Sequence, residues 1–301
     1  MPSDITIRQL RYFVAAAQSG QISMAAANEH VSQSAVTNAV SSLESALGTR
    51  LFERLPHGVA LTLDGHDFYN HARHVLDSLS DALHKSRSRS KEAQGTVRIG
   101  ASYTVLGYFL PEVLARFAAS YPQVHFELHD LDRATLEASV ASGGIDVGVA
   151  ILSNLESIGR FEHRSLVISP RKLWVAPSHP LAKIQRPTLR DIAAHRYIML
   201  TVDEGEESAL RYWKKVTPQP DVFLRTGSME ALRGLVSHGF GVTILSEMVF
   251  RPWSLEGKRI EAREIADPVP QMDVGMLWKK GSPLSPAASA FVDFLGYGRG
   301  V

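Results

Sequence analysis

The stretch Ile22–Leu47, ISMAAANEHVSQSAVTNAVSSLESAL, reads as two short helices separated by a tight turn. Ser23 is the expected cap of the first, and Ala25, Ala26 and Ala27 are small enough to let another helix pack very close. Asn28 to Val31 supplies the turn. Ser32 is placed to cap the second helix and Gly48 to stop it. Between them Val36, Val40, Leu43 and Leu47 share one face that should pack inward. The opposite face carries Gln33, Ser34, Thr37, Asn38, Ser41 and Ser45, with Ser32 at its head. It is polar, short-chained and almost uncharged. Such a face suits hydrogen bonding to base edges and phosphates in a major groove, where Gln and Asn pair with adenine through two bonds. It equally suits an ordinary solvated helix, and these residues alone leave both readings open.

Composition narrows the choice by exclusion. The chain of 301 residues is 45% hydrophobic, enough for two or three domains with sizeable cores. Its net charge of +1 carries no global basic field, so any DNA contact must come from a local patch or a dimer surface. There is no cysteine, which removes disulfides, thiol redox sensing, cysteine nucleophiles and cysteine-ligated zinc together. The opening MPSDITIRQL lacks a basic region followed by an apolar run, and no segment approaches 18 uninterrupted apolar residues. A cytoplasmic protein with no membrane partner is expected.

The flanks of the opening stretch fit a DNA-binding module. Ile7, Leu10, Phe13, Val14 and Ala17 recur at helical spacing and end near Ser19-Gly20, giving a bracing first helix. After Gly48, Leu51 and Phe52 are apolar anchors, Pro56-His57-Gly58 is a turn, and Val59, Leu61 and Leu63 alternate, as in a short hairpin or wing. Arg50, Arg54 and His57 cluster around it, either gripping phosphate or entering a minor groove, or forming a solvated basic edge. From Asp64 to about Lys91 runs one helical segment of roughly 40 Å. Its Phe68, Ala72, Val75, Leu79 and Ala82 keep a heptad rhythm, which predicts a homodimer through this helix. His71 and His74 lie three apart on it, but no third metal ligand is evident nearby, and no metal or cofactor is expected. SRSRSKEAQG then reads as a hinge.

From Thr96 the pattern becomes short apolar strands alternating with helices. TVRIGA, VHFELHD and DVGVAI are strand-like, separated by the helical YFLPEVLARFAASY and DRATLEASVASG. RKLWVA, RYIML, DVFLRT and VTILS follow as strands, with helices near Glu206 to Lys215 and Met229 to His238, then RIEAREI and QMDVGMLW as strands and SPAASAFVDFL as a closing helix. Parallel sheet covered by helices, divided into two linked doubly wound α/β subdomains, is the economical reading. In such sheets anions bind beyond the carboxyl ends of strands, against helix starts. That rule nominates Ser102, Tyr103 and Thr104 after the first strand, Thr201 and Val202 after RYIML, and Gly227 and Ser228 after DVFLRT. Capping is the plainer task for Ser102, Thr104 and Ser228. Arg160, His163, Arg164 and Arg225 are left outside the site, and Asp146 is read as a capping or hinge residue.

LRYFVAAAQSG, AAANEHVSQSAVTNAVSSLESALGTRLFER and GVALTLDG resemble the N-terminal domain of LysR-type transcriptional regulators, without gaps from about Leu10 to Gly65. Two residues depart from that pattern: Ser34 stands where the family often has Pro, and Asn38 where it often has Arg or another long polar residue. Ser246 likewise replaces a common Pro. The resemblance implies a winged helix-turn-helix domain (1–63), a linker helix (64–91) that pairs antiparallel in a dimer, and a regulatory domain (92–301) resembling periplasmic solute-binding proteins. The chain would cross twice between lobes, giving subdomain I as 96–163 plus 267–301 and subdomain II as 164–266. It also implies operator DNA and a small-molecule effector as partners, effector contacts at the nominated cleft positions, and a homotetramer as the larger assembly.

A solute-binding protein or an enzyme using the α/β part is the competing reading. The missing export signal counts against the first. Against the second, the chain has no Gly-x-Ser-x-Gly elbow, P-loop or His-Glu-x-x-His, so no catalytic residue is nominated.

Overall fold

The computed structural model describes residues 5–55, 58–87 and 93–297. Among these the chain separates into a unit running to Arg87 and a unit from Ala93 to Gly296. His57 and the expected linker end at Lys91 lie outside the described residues.

The first unit opens with helix α1 (Ile7–Ser19), started by a capping box in which Thr6 and Gln9 satisfy one another's backbone N–H groups. Helix α2 (Ile22–Asn28) follows, and α3 (Gln33–Leu47) crosses it. Gly20 and Gly48 end α1 and α3 at φ 66° and 68°, a left-handed conformation that glycine adopts without a Cβ clash. Ser23 does not cap α2: Gln21 holds the cap position without a side-chain bond, and Ser23 lies within the first turn. Strands β1 (Phe52–Leu55) and β2 (Gly58–Leu61) form the antiparallel wing. Phe13 is fully buried and packs its ring 5.2 Å from Phe52 and 5.3 Å from Phe68. Val36, Val40 and Leu43 are buried as their spacing requires, whereas Leu47, at the last turn, is 37% exposed.

Helix α4 (Leu63–Arg87) modifies the expected linker. Thr62 accepts from the Gly65 N–H, starting the helix at Leu63. Phe68, Tyr69, Ala72 and Leu76 pack into the core formed by α1 to α3. A boundary at 63/64 therefore cuts through that core, and two of the heptad positions, Phe68 and Ala72, face their own unit rather than a second helix. Val75, the next heptad position, is 44% exposed.

The second unit has two lobes. Strand β3 (Gly95–Ala101), helices α5 (Tyr103–Tyr108) and α6 (Leu110–Ser120), strand β4 (Val124–Asp130), helix α7 (Arg133–Ser142) and strand β5 (Val147–Ile151) build the first. The helix expected from Tyr108 is α6, starting at Leu110, and α5 precedes it as a short helix of its own. Strand β6 (Phe161–Ser169), which the periodicity did not single out, joins the same sheet. Strand β7 (Arg171–Val175), helix α8 (Leu189–Ala193), strand β8 (Tyr197–Leu200), helix α9 (Gly205–Trp213), strand β9 (Val222–Thr226), helix α10 (Met229–Ser237), strand β10 (Thr243–Ser246) and strand β11 (Glu261–Arg263) form the second lobe. The chain then returns through strand β12 (Met272–Lys279) and helix α11 (Pro286–Tyr297) to the first.

The first-lobe sheet has the order β4-β3-β5-β12-β6 and is mixed: β3 runs parallel to β4 and β5, and β12 antiparallel to β5 and β6. A return strand entering from the other lobe meets β5 head to tail, which the local pattern of QMDVGMLW cannot reveal. Alternation along β5 explains the two covered faces. Val147, Val149 and Ile151 point to the α5, α6 and α11 side around Phe117 and Phe291, while Ala150 points to Leu136 and Val140 of α7. Each large side chain so buried contributes about 1.5–3 kcal/mol. In the second lobe β7 lies between β10 and β11, all antiparallel, and β8 pairs with β9 in parallel. The expected boundary at 163/164 falls inside β6, whose pairing with β12 extends to Ser169, so the first crossing lies at Pro170. Ser246 is placed there too. Its hydroxyl donates to Ser169 Oγ at 2.7 Å, and both hydroxyls accept from the Met248 N–H; a proline at 246 lacks the two bonds made by the Ser246 hydroxyl.

Candidate nucleic-acid interface and effector cleft

In the first unit, Ser32 caps α3 by accepting from the Ala35 N–H at 3.2 Å and lies 2.9 Å from the Ser34 hydroxyl. Thr37 donates its hydroxyl back to the Gln33 carbonyl, and Ser45 to that of Ser41. Gln33 and Asn38, both exposed, form no side-chain hydrogen bond among the described residues. The polar face thus divides into hydroxyls engaged locally and amides that remain open; Ser41 stands exposed beside them.

The wing is fixed to this helix. Glu44 Oε1 of α3 accepts from the N–H groups of Leu51 and Phe52 at 2.8 and 3.1 Å. At the wing's other strand the Val59 N–H donates to the Gly20 carbonyl at 2.8 Å, and a Cβ on Gly58 would stand 2.2 Å from that oxygen. Arg50 and Arg54 are exposed on either side of the β1 start. His71 and His74 are exposed on α4, and no cluster of three metal-ligating side chains occurs among the described residues.

In the second unit the nominated residues fall into two groups that meet across the lobes. Ser102 and Thr104 are buried, with Tyr103 at the rim, 41% exposed. The Thr104 N–H donates to Asp203 Oδ2 at 2.7 Å, and buried Asn154 donates from Nδ2 to the Asp203 carbonyl at 2.8 Å. On the second lobe the Thr201 N–H donates to the Thr226 carbonyl, so the ends of β8 and β9 lie side by side. A Cβ on Gly227 would touch Thr201 and Val202 at 3.7 and 3.8 Å. Ser228, exposed, caps α10 by accepting from the Ala231 N–H.

Asp203 and Glu204 take φ values of 50° and 56°, a left-handed conformation costing a non-glycine residue about 1–2 kcal/mol. Burial pushes the Glu204 carboxyl above its ordinary range, although the Arg133 guanidinium, 3.3 Å away, opposes that. Asp203 and Asn154 are the members the sequence reading missed. TVDEGEE reads as a loop and acidic helix start, and Glu206 and Glu207 do occupy the first turn of α9. Nothing local marks Asp203 as reaching a residue 99 positions earlier. The residues set aside stay outside: Arg225 pairs with Glu206 on the surface, and Asp146 binds the backbone and guanidinium of Arg98 within the first lobe.

A reading helix with a pinned wing, followed by a two-lobed α/β unit crossed twice by the chain, is an arrangement shared with known proteins. Residues 7–66 match the bacterial regulatory helix-turn-helix protein, lysR family, and residues 90–298 match the LysR substrate binding domain. The chain belongs to the LysR family. It is a LysR-type DNA-binding transcriptional regulator with an effector-binding domain. Its relatives include an uncharacterized HTH-type transcriptional regulator, YybE of Bacillus subtilis (strain 168), 26% identical over 95% of this chain and 97% of that one. The hydrogen peroxide-inducible genes activator of Pectobacterium carotovorum subsp. carotovorum is 28% identical, over 93% and 92% of the two chains. Among solved structures, HinK, a LysR family transcriptional regulator from Pseudomonas aeruginosa, superposes with a TM-score of 0.62 at 26% identity, covering 97% of this regulator and 98% of that chain. No helix among the described residues of this regulator is long and apolar enough to cross a membrane.

Proposed function

We propose that this regulator reads operator DNA with Gln33, Asn38 and Ser41 of α3, with Ser32, Ser34 and Thr37 lining the same face, and anchors to phosphate through Arg50 and Arg54. The carrying observation is the division of the α3 face: the hydroxyls of Ser32, Ser34 and Thr37 are engaged locally, while Gln33 and Asn38 remain open for two-bond pairing with a base. His57, beside Arg54 in sequence, completes the basic cluster in this reading. Two copies join through α4, on which Val75 is exposed, and pairs of dimers form a tetramer.

The regulatory unit takes a small organic anion between its lobes, at Ser102, Tyr103 and Thr104 on one side and Thr201, Val202, Gly227 and Ser228 on the other. The chemistry favouring an anion is the set of backbone N–H groups beyond the strand ends. One relative is named for its response to hydrogen peroxide. With no cysteine, this chain cannot take peroxide as a signal by thiol oxidation, and its signal is read by binding. Binding favours one arrangement of the paired DNA-reading domains; a coupling of roughly 1–3 kcal/mol suffices to alter operator affinity or bending. The protein acts in the cytoplasm, where that DNA lies, and the reading contains no catalytic step.

Selection of bound sequences from random duplex DNA tests it. Wild type should recover a two-fold symmetric site, and Asn38→Ala should relax the preference at matching positions in both halves. Recovery of no preferred sequence by the wild-type chain would refute the reading.

A further inference from the structure

We propose that Asp203 is a tethered occupant of the effector cleft: its carboxylate stands at the Thr104 N–H where the carboxylate of an effector binds, and the effector acts by displacing it. This rests on the reading of the cleft as the effector site.

Ser102 has the extended backbone of a helix cap, φ −78° and ψ 156°, immediately before α5. A serine so placed ordinarily accepts from an N–H in the first turn. Ser102 accepts none. The Thr104 N–H is instead taken by Asp203, which reaches across from the other lobe. Ser102 Oγ is left without a partner although the residue is only 5% exposed.

Asn154 repeats the pattern independently. It is 7% exposed, donates to the Asp203 carbonyl, and leaves its own Oδ1 without a partner. A contact that served folding alone would satisfy such buried groups, because an unmatched polar atom in the interior is destabilising. Asp203 covers them and completes neither.

The unmet groups describe what completes them. Ser102 Oγ can donate or accept, and Asn154 Oδ1 accepts. A small carboxylic acid bearing a hydroxyl or amino group brings the carboxylate for Thr104 and the donor that Asp203 lacks. Release is local: Asp203 and Glu204 sit in consecutive left-handed conformations that a rearranged loop abandons. Arg211, donating to the Ser153 carbonyl at 2.7 Å, still joins the lobes when Asp203 leaves. Because the occupant is tethered, free acid binds only the fraction of molecules in which the loop has opened, and its apparent affinity falls by that fraction.

The experiment is hydrogen exchange of the full-length protein, read by mass spectrometry over residues 102–108, 201–205 and 226–229, with acetate and glycolate as probes. Asp203→Gly removes the carboxylate and tolerates the positive φ. In this variant residues 102–108 should exchange faster than in wild type. Glycolate should then slow them at a concentration about tenfold or more below that needed in wild type, with acetate weaker than glycolate. Unchanged exchange in the variant overturns the proposal. So does half-protection at the same glycolate concentration in both proteins, which leaves the cleft standing as an open effector site. Protection of none of the three segments by either acid, in either protein, removes the cleft reading and the proposal with it. Should Asp203→Gly exchange faster throughout the α/β unit, Asp203→Asn replaces it; its amide oxygen still accepts from the Thr104 N–H but carries no charge, so the glycolate comparison alone is read, and half-protection at the wild-type concentration overturns the proposal.

Discussion

The exposed face of α3 and the buried junction of Ser102, Thr104 and Asp203 both carry polar groups for a partner, yet they hold them in opposite ways. On α3 the amides of Gln33 and Asn38 stand in water with no protein partner among the described residues. At the junction the Thr104 N–H is already paired with a carboxylate from the other lobe. The difference is one of timing. A surface that docks on a preformed duplex keeps its groups open, because water exchanges for base edges at small cost. A buried site cannot stay open without leaving donors unmatched, so it pairs internally and binding there becomes an exchange. The first region is suited to reading, the second to switching.

The largest test of that contrast removes one region's support and asks whether the other notices. Phe13 is fully buried between Phe52 and Phe68, and Phe13→Ala should destabilise the N-terminal unit by about 3–5 kcal/mol. DNA binding by gel shift should be lost. All four tryptophans, Trp174, Trp213, Trp253 and Trp278, lie in the α/β unit, so tryptophan fluorescence should report an unchanged urea midpoint there. A matching fall in that midpoint would show that the two regions depend on one scaffold. Next in size, Asn38→Ala should cost about 1–3 kcal/mol at the base it reads and little on unrelated DNA. Arg54→Ala should weaken all sequences alike and lower the salt slope by about 1, measured by titration at several salt concentrations. Loss of base preference alone on Arg54→Ala would contradict its assignment to phosphate.

How legible each region was follows from the range of the contacts that make it. The helices around Ile22–Leu47, their stops at Gly20 and Gly48, and the wing are written in residues a few positions apart, where capping and periodicity operate. The same locality concealed what the first turns of α4 pack against, because Phe68 and Ala72 fit a heptad and equally fit a core closed by Phe13. In the α/β unit the strands VHFELHD and DVGVAI were legible as short apolar runs between helical segments. FEHRSLVIS was not, because its outward residues are charged at an edge while its pairing partner β12 lies over a hundred positions later. Ser102 and Thr104 were found by a rule about strand ends. Asp203 and Asn154 were missed because only the packing of the two lobes brings them to that place.

The smallest effect sharpens the contrast from the pH side. His179 and His195 meet edge to face in the second lobe, with ring centres 4.6 Å apart. Burial, and secondarily the neighbouring His195, hold the His179 imidazole below its ordinary value of 6.5. Its Nδ1 also accepts from the Leu181 N–H at 3.2 Å, a bond that protonation of that nitrogen breaks. The folded state therefore prefers the neutral ring, and over the interval between the folded value and 6.5 the unfolded chain binds more protons. The stability this group contributes is fully present above 6.5 and is lost as pH falls through the lower folded value. Urea midpoints followed by tryptophan fluorescence should decline as pH is lowered from 7.5 to 5.5. His179→Gln should flatten that decline while leaving operator affinity at pH 7.5 unchanged. An equally steep decline in the variant would place the titrating group elsewhere. An altered operator affinity would instead tie this corner of the second lobe to the reading helix, contradicting the separation of tasks drawn above.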